Sequence, residues 1–324
     1  VADAIRMTAV TKTFGDQTAV DNLDLAIPAG GLYGFIGPNG AGKTTTIRML
    51  MSILFPDSGE LEVLGHASAL EAKDKIGYLP EERGVYKKMR VGVYLKFIAR
   101  LKGVADDQID GRIRTLLERV ELPEVFGKNC EELSKGMQQK IQFCASIINE
   151  PELLILDEPF SGLDPVSMRL LRDQIVAEHE RGATILFSTH VMPQAEEICD
   201  HVIMIHRGRK VIDDPIQSIR GQYDTGTVLI EPLEPGAEIG GLGMIEGVEA
   251  TSANEGQIKL HLKDGTDPAR VMREVVSAMP VARMELSRPR LEDIFVRLVA
   301  GDAGGSADEV MSELNAPTHT EASA

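Results

Sequence analysis

An α/β core carrying a helical subdomain, followed by a small α+β domain, is the fold class that this sequence predicts. Through the first two-thirds of the chain, short β-branched apolar runs alternate with longer helical patterns, as packed layers of sheet and helix require. From roughly residue 83 the spacing turns helical, and past about 222 a second series of strand-like runs begins. A chain of 324 residues fits about two domains at roughly 150 residues each.

In chain order, LYGFIG at 32–37 is a short apolar run that ends in glycine, and TTTIRMLMSI at 44–53 has helical spacing. Tyr94, Phe97, Ile98 and Leu101 recur at intervals of three and four, one stripe of a helix. LLIL at 153–156 and ATILFST at 183–189 are apolar on both faces, the pattern of buried parallel strands. HVIMIHRGRKVI at 201–212 reads as a hairpin turning at Arg207-Gly208. In the second domain, TVLIEP, GVEATS, QIKLHL and ARMELS read as strands, PARVMREVVSAM as a helix, and LEDIFVRLVA as the closing helix. The segment 301–324 has five acids and no base, so it is expected to be disordered. The boundaries are therefore 1–220, with the helical subdomain at about 83–145, then 221–300 and the acidic tail 301–324.

Charge follows the same division. Lys+Arg is 34 and Asp+Glu 50, a net −16. Residues 1–212 hold 25 bases against 30 acids, a net −5, and residues 213–324 hold 9 against 20, a net −11. This balance argues against a non-specific nucleic-acid binder. Aromatics make up 4% with no Trp, so the core must be aliphatic. Cys130, Cys144 and Cys199 lack framework or metal spacing and read as packing residues in a reducing compartment. With no apolar run near the ~18 residues that span a bilayer, and no signal-like start, the chain is expected to lie inside the cell.

The most specific motif is Gly37-Pro38-Asn39-Gly40-Ala41-Gly42-Lys43-Thr44, a full GxxxxGK[ST] between a predicted strand and a predicted helix. Its glycines let backbone N–H groups face phosphate oxygens, and the following helix adds its positive dipole end. Lys43 would reach the β- and γ-phosphates, Thr44 would ligate Mg²⁺, and Thr45 continues the helix start beside them. The loop alone does not separate ATPase, GTPase and kinase, although no guanine-reading N-K-x-D follows.

Asp157 and Glu158 end the apolar strand at 153–156. Adjacent strand residues face opposite ways, but at the strand's edge both can reach a triphosphate. Asp157 suits Mg²⁺ and Glu158 suits polarising a water. His190 closes the next strand. Taken singly, these could be solvated acids and a structural histidine.

Upstream stands Leu133-Ser134-Lys135-Gly136-Met137, and from here the sequence resembles the ATP-binding subunit of an ABC transporter, a P-loop NTPase fold. The resemblance covers about 5–215. It orders the phosphate loop, GYLPE at 77–81, the signature at 133–137, the carboxylate strand, Ser161-Gly162-Leu163-Asp164 as D-loop, and His190 as switch histidine. Phe14 holds the place of the aromatic that stacks on adenine. The resemblance implies ATP and Mg²⁺ as cofactors, with Glu158 acting on water and His190 stabilising the γ-phosphate. It further implies Ser134 and Gly136 facing the ATP of a second ATPase subunit, read as a homodimer, and Asp164 linking the two sites. Lys135 and Met137 depart from the commonest signature, and Glu81 stands where most members carry glutamine.

GYLPEERGVY, LSKGMQQK and the ending LEDIFVRL resemble the sodium-extruding and drug-exporting (ABC-2 type) subgroup. That implies export through a separate membrane-spanning subunit. It also implies a peripheral position on the inner face of the cell membrane, with membrane contact only through the partner and no nucleic acid. Tyr86, Met89, Val91, Tyr94 and Phe97 would line the partner's groove, or else form the subdomain core. The competing reading is a soluble ABC-type ATPase acting on ribosomes or DNA. Against it, there is one ATP unit per chain, and the phosphate loop and carboxylates lie only about 115 residues apart without heptads.

Overall fold

The computed structural model describes residues 2–82, 84–223, 226–234, 241–254, 257–263, 265–287 and 290–303. Two compact units emerge, Gln217–Ile294 forming one and the remainder the other.

The larger unit begins with a hairpin, β1 (Asp3–Phe14) and β2 (Gln17–Pro28), followed by β3 (Leu32–Ile36) and α1 (Lys43–Leu50). β4 (Ser58–Val63) and β5 (Ile76–Leu79) come next, then α2 (Val91–Leu101), α3 (Asp106–Arg119) and α4 (Lys135–Ile147). The chain returns through β6 (Leu153–Asp157), α5 (Pro165–Glu180), β7 (Thr184–Thr189), α6 (Met192–Ile198), β8 (His201–His206) and β9 (Arg209–Pro215), and α7 (Ile216–Gln222) then opens the smaller unit. Six strands form a sheet in the order β5-β6-β7-β3-β8-β9, parallel except for the β8–β9 hairpin. β3, β6 and β7 are buried along their whole length, which is why they read as unbroken apolar runs rather than alternating ones. A second, antiparallel sheet, β2-β1-β4, packs its inner residues Ile5, Met7, Leu23, Leu25 and Ile27 into the same core as Phe35 and Ile47.

In the smaller unit, β10 (Thr227–Pro232), β11 (Val248–Asn254) and β12 (Gln257–Leu262) precede α8 (Pro268–Ala278) and β13 (Val281–Ser287). Its sheet runs β11-β12-β10-β13, all antiparallel. Val228, Ile230, Ile258 and Leu260 alternate along their strands to meet Val271 and Val275 of α8. Helix α9 spans Leu291–Ala303.

Several boundaries differ from the sequence expectation. The helix expected over 44–53 stops at Leu50, because Ser52 takes a left-handed backbone (φ 54°) and Ile53 and Leu54 fold back onto the Arg48 carbonyl. The helical subdomain begins at Val91 rather than 83, since the Arg90–Asn129 bridge and the Val91 amide bonded to the Lys128 carbonyl fix the entry. Val91 and Tyr94 are core residues, whereas Tyr86 and Phe97 remain exposed and meet edge-on at 6.1 Å. Helix α9 runs to Ala303, past the start of the tail expected from 301; residues 304–324 lie outside the described ones. All three cysteines are buried, and burial pushes the Cys144 thiol up to about 12. Among the described residues no helix is long and apolar enough to cross a membrane.

Candidate functional site

The parallel strands β3, β6 and β7 end side by side, the place where open α/β sheets bind ligands. From the end of β3 the phosphate loop turns into α1. Two of its glycines are demanded by the chain itself. A Cβ on Gly37 would stand 2.3 Å from the Ile205 carbonyl oxygen, and one on Gly42, at φ 105°, 2.4 Å from that of Ala19. Pro38 and Ala41 are buried, Asn39 and Gly40 exposed, and the Ala41 carbonyl accepts the Gly208 amide at 2.9 Å. This bond ties the loop to the β8–β9 turn. Thr45 is half-buried in the first turn of α1.

Lys43 is buried and donates to the Gly37 and Pro38 carbonyls at 2.7 and 3.2 Å. Its Nζ lies 3.7 Å from Glu158 Oε1. Burial pulls its pKa down, opposed by Glu158, Asp157 and Glu81. Glu158 in turn meets His190 Nδ1 at 2.9 Å. Glu158 itself has φ 48°, a left-handed conformation rare outside glycine. That turn ends the strand and resolves the alternation problem: a continued β6 would send Asp157 and Glu158 to opposite faces.

Asp157 is 1% exposed, and its Oδ1 accepts from Ser188 at 2.6 Å and from Thr44 at 3.4 Å. Its Oδ2 is buried without a hydrogen-bond partner among the described residues. Burial raises the Asp157 pKa, while the Ser188 and Thr44 hydroxyls pull it back. Glu81, just past β5, feels the same cluster. Burial, then the charges of Asp157 and Glu158, raise its pKa, and Lys43 lowers it. The neighbouring Glu82 pairs with Arg48 at 3.4 Å.

The family is decided by a relative. An ABC transporter ATP-binding protein of Bacillus subtilis (strain 168), YhaQ, is 39% identical over 290 residues, covering 90% of this chain and 96% of the relative. This chain belongs to the ATP-binding proteins of ABC transporters. It is an ATPase and binds ATP. The family model described as ABC transporter matches residues 20–161, and one described as the C-terminal domain of DrrA1-3-like ATP-binding proteins matches 215–299. The daunorubicin resistance ATP-binding protein DrrA3 of Streptomyces coeruleorubidus is 32% identical over 310 residues, 92% of this chain and 96% of that one. A solved structure of the ATP-binding subunit of an ABC transporter superposes with a TM-score of 0.63 at 28% identity, over 68% of this chain and 93% of that one.

The remaining ABC motif residues stand apart from the Lys43 cluster. Ser134 caps α4, its Oγ accepting the Met137 amide at 3.3 Å. Asp164 caps α5, accepting the Val166 and Ser167 amides at 3.0 Å each, and these bonds hold its carboxyl below the usual range. A Cβ on Gly136 would meet only ordinary contacts, Leu163 at 3.6 Å and Asp164 at 4.0 Å. Among the described residues, no hydrogen bond or ion pair joins Ser134, Gly136 or Asp164 to Lys43, Asp157, Glu158 or His190. Phe14, at the tip of the first hairpin, is 49% exposed with Lys12 Nζ 5.5 Å from its ring centre. One residue of the cluster escaped the sequence reading, Ser188. Its signal, a small hydroxyl near the end of an apolar strand, becomes informative only once the strand register is known.

Proposed function

We propose that this ABC ATPase powers an exporter through a separate membrane-spanning subunit. The observation that carries the catalytic half is the linked run Lys43–Glu158–His190 beside a buried Asp157 oxygen that has no hydrogen-bond partner among the described residues. In this reading the loop amides and Lys43 hold the triphosphate, with Phe14 against the adenine. Glu158 orients or deprotonates the attacking water, its carboxylate held by His190, which also stabilises charge shifting onto the γ-phosphate.

Mg²⁺ fits the residues present. The Thr44 hydroxyl and Asp157 Oδ2 are hard oxygen donors at one place, and Mg²⁺ takes one or two protein ligands together with phosphates. Bound there, it would neutralise phosphate charge during transfer. Glu81 adds a third carboxylate beside that position.

Ser134 and Gly136 contact the ATP of a second copy, giving a homodimer with two nucleotides at its interface, and Asp164 lies between the two sites. Kinship with a daunorubicin resistance protein over nearly the whole chain, with the DrrA-like C-terminal match, supports export. The exposed Tyr86 and Phe97, with half-buried Met89, are the surface for a short helix of the membrane partner. Membrane contact is then indirect, on the cytoplasmic face.

Glu158→Gln tests this. Purified with ATP from membranes, it should retain nucleotide, lose at least about 100-fold in turnover as general-base catalysis is removed, run as a dimer and bring down a polytopic membrane protein. An active, monomeric variant found only in the soluble fraction would refute both halves.

A further inference from the structure

We propose that Ser188 is a positioning residue for both carboxylates of the ATPase site, setting Asp157 for the metal and Glu158 for the attacking water. The inference rests on the assignment of those two roles just made. β6 and β7 run parallel with Asp157 opposite Ser188 in register, so the two side chains leave the sheet on the same face. Ser188 is completely buried. Its Oγ donates to Asp157 Oδ1 at 2.6 Å and accepts the Glu158 amide N–H at 3.1 Å. A hydroxyl has one proton to give and two lone pairs to receive, so both bonds form together without competing. No aliphatic side chain of similar size does either.

Each bond has its own consequence. With Ser188 and Thr44 both on Oδ1, the Asp157 carboxylate cannot rotate freely, and Oδ2 is left as the oxygen open to a cation. The second bond acts on a backbone held at φ 48°, a conformation that a glutamate keeps only when its surroundings enforce it. The Glu158 amide is tied to Ser188 on one side, and its carbonyl accepts the Ser161 amide at 3.1 Å on the other. This turn allows two consecutive residues to serve one site. A serine present only for packing would have neither consequence.

The test compares Ser188→Thr with Ser188→Val in the full chain. Threonine and valine have the same shape, so crowding at this buried position is common to both, and their difference reads the hydroxyl alone. Mn²⁺ is the probe, its binding with ATP followed by EPR, with kcat and KM for ATP measured as metal is titrated. Ser188→Val should bind Mn²⁺ roughly 10–100-fold more weakly than Ser188→Thr, the usual loss when a residue supporting a metal ligand is removed. It should also lose kcat at saturating metal, while ATP affinity without metal stays the same. Equal metal affinity and equal kcat in the two variants would overturn the proposal. Asp157→Asn separates the two levels. If that variant keeps its Mn²⁺ affinity, the metal assignment itself is wrong; if it loses metal while Thr and Val behave alike, only the role of Ser188 falls. Should neither β-branched variant fold, Ser188→Ala against the unmodified chain decides: weakened Mn²⁺ binding supports the role, and unchanged binding and turnover overturn it.

Discussion

The phosphate loop and the signature segment are both glycine-bearing turns that open a helix, yet they are built for different surroundings. In the loop, Gly37 and Gly42 are required by their own chain, since a methyl group at either would strike a backbone oxygen. Lys43 is buried and engaged with loop carbonyls and Glu158. In the signature segment, Gly136 has room for a methyl group, and Ser134 and Asp164 spend their side chains capping their own helices. In the homodimer proposed above, the phosphate-loop side is completed within one chain, and the signature side would meet the ATP of the other copy.

The sharpest way to break the internal half is Lys43→Ala. Nucleotide affinity should fall by roughly 100-fold, the factor carried by a charge-assisted contact of about 3 kcal/mol, in equilibrium binding to a fluorescent ATP analogue. Wild-type affinity would mean that the loop does not hold the triphosphate.

A paired substitution sharpens the contrast between the two glycines. Gly42→Ala places a side chain at φ 105° against a backbone oxygen and should cost about 2 kcal/mol or more, visible as a drop in thermal midpoint. Gly136→Ala should leave the midpoint and ATP binding untouched while lowering turnover of the dimer. If Gly136→Ala destabilised the isolated chain as much as Gly42→Ala, the distinction between an internal and a shared half-site would collapse.

The smallest effect concerns Glu81. Its pKa is raised by burial and by the charges of Asp157 and Glu158, so the folded state holds this proton more tightly than the unfolded one. Its contribution to stability is therefore most favourable below the unfolded-state pKa and is lost as pH rises through the raised folded-state value. Glu81→Gln removes that penalty. The thermal midpoint of the nucleotide-free protein should rise slightly at neutral pH, and the gain should vanish in acid. A midpoint lowered at neutral pH would mean that the carboxylate is stabilising and faces a cation rather than other acids.

The motifs were legible because each depends on residues adjacent in the chain. GxxxxGK[ST], an apolar strand ending in Asp157-Glu158, and a strand ending in His190 all survive as local patterns, and so does the alternation of β10 and β12. Residues before 30 gave no such pattern: β1 and β2 form a long bulged hairpin with several register shifts, and bulges erase the period-two alternation on which strand reading relies. The groove expected from Tyr86, Met89, Val91, Tyr94 and Phe97 divided once folded, because helical spacing identifies a stripe but not what covers it.

What the sequence by itself determined is the chemistry on offer: a phosphate loop, two consecutive acids, a histidine, one copy of each motif, and an acid-rich second domain. Only the tertiary structure decided how these groups face one another. The parallel register of β6 and β7 sets Ser188 against Asp157, 31 residues away, and the left-handed turn at Glu158 brings its carboxylate to His190. Neither follows from composition or period, because strand register is fixed by how two apolar faces pack against a common core, and a strained φ persists only where long-range contacts hold it.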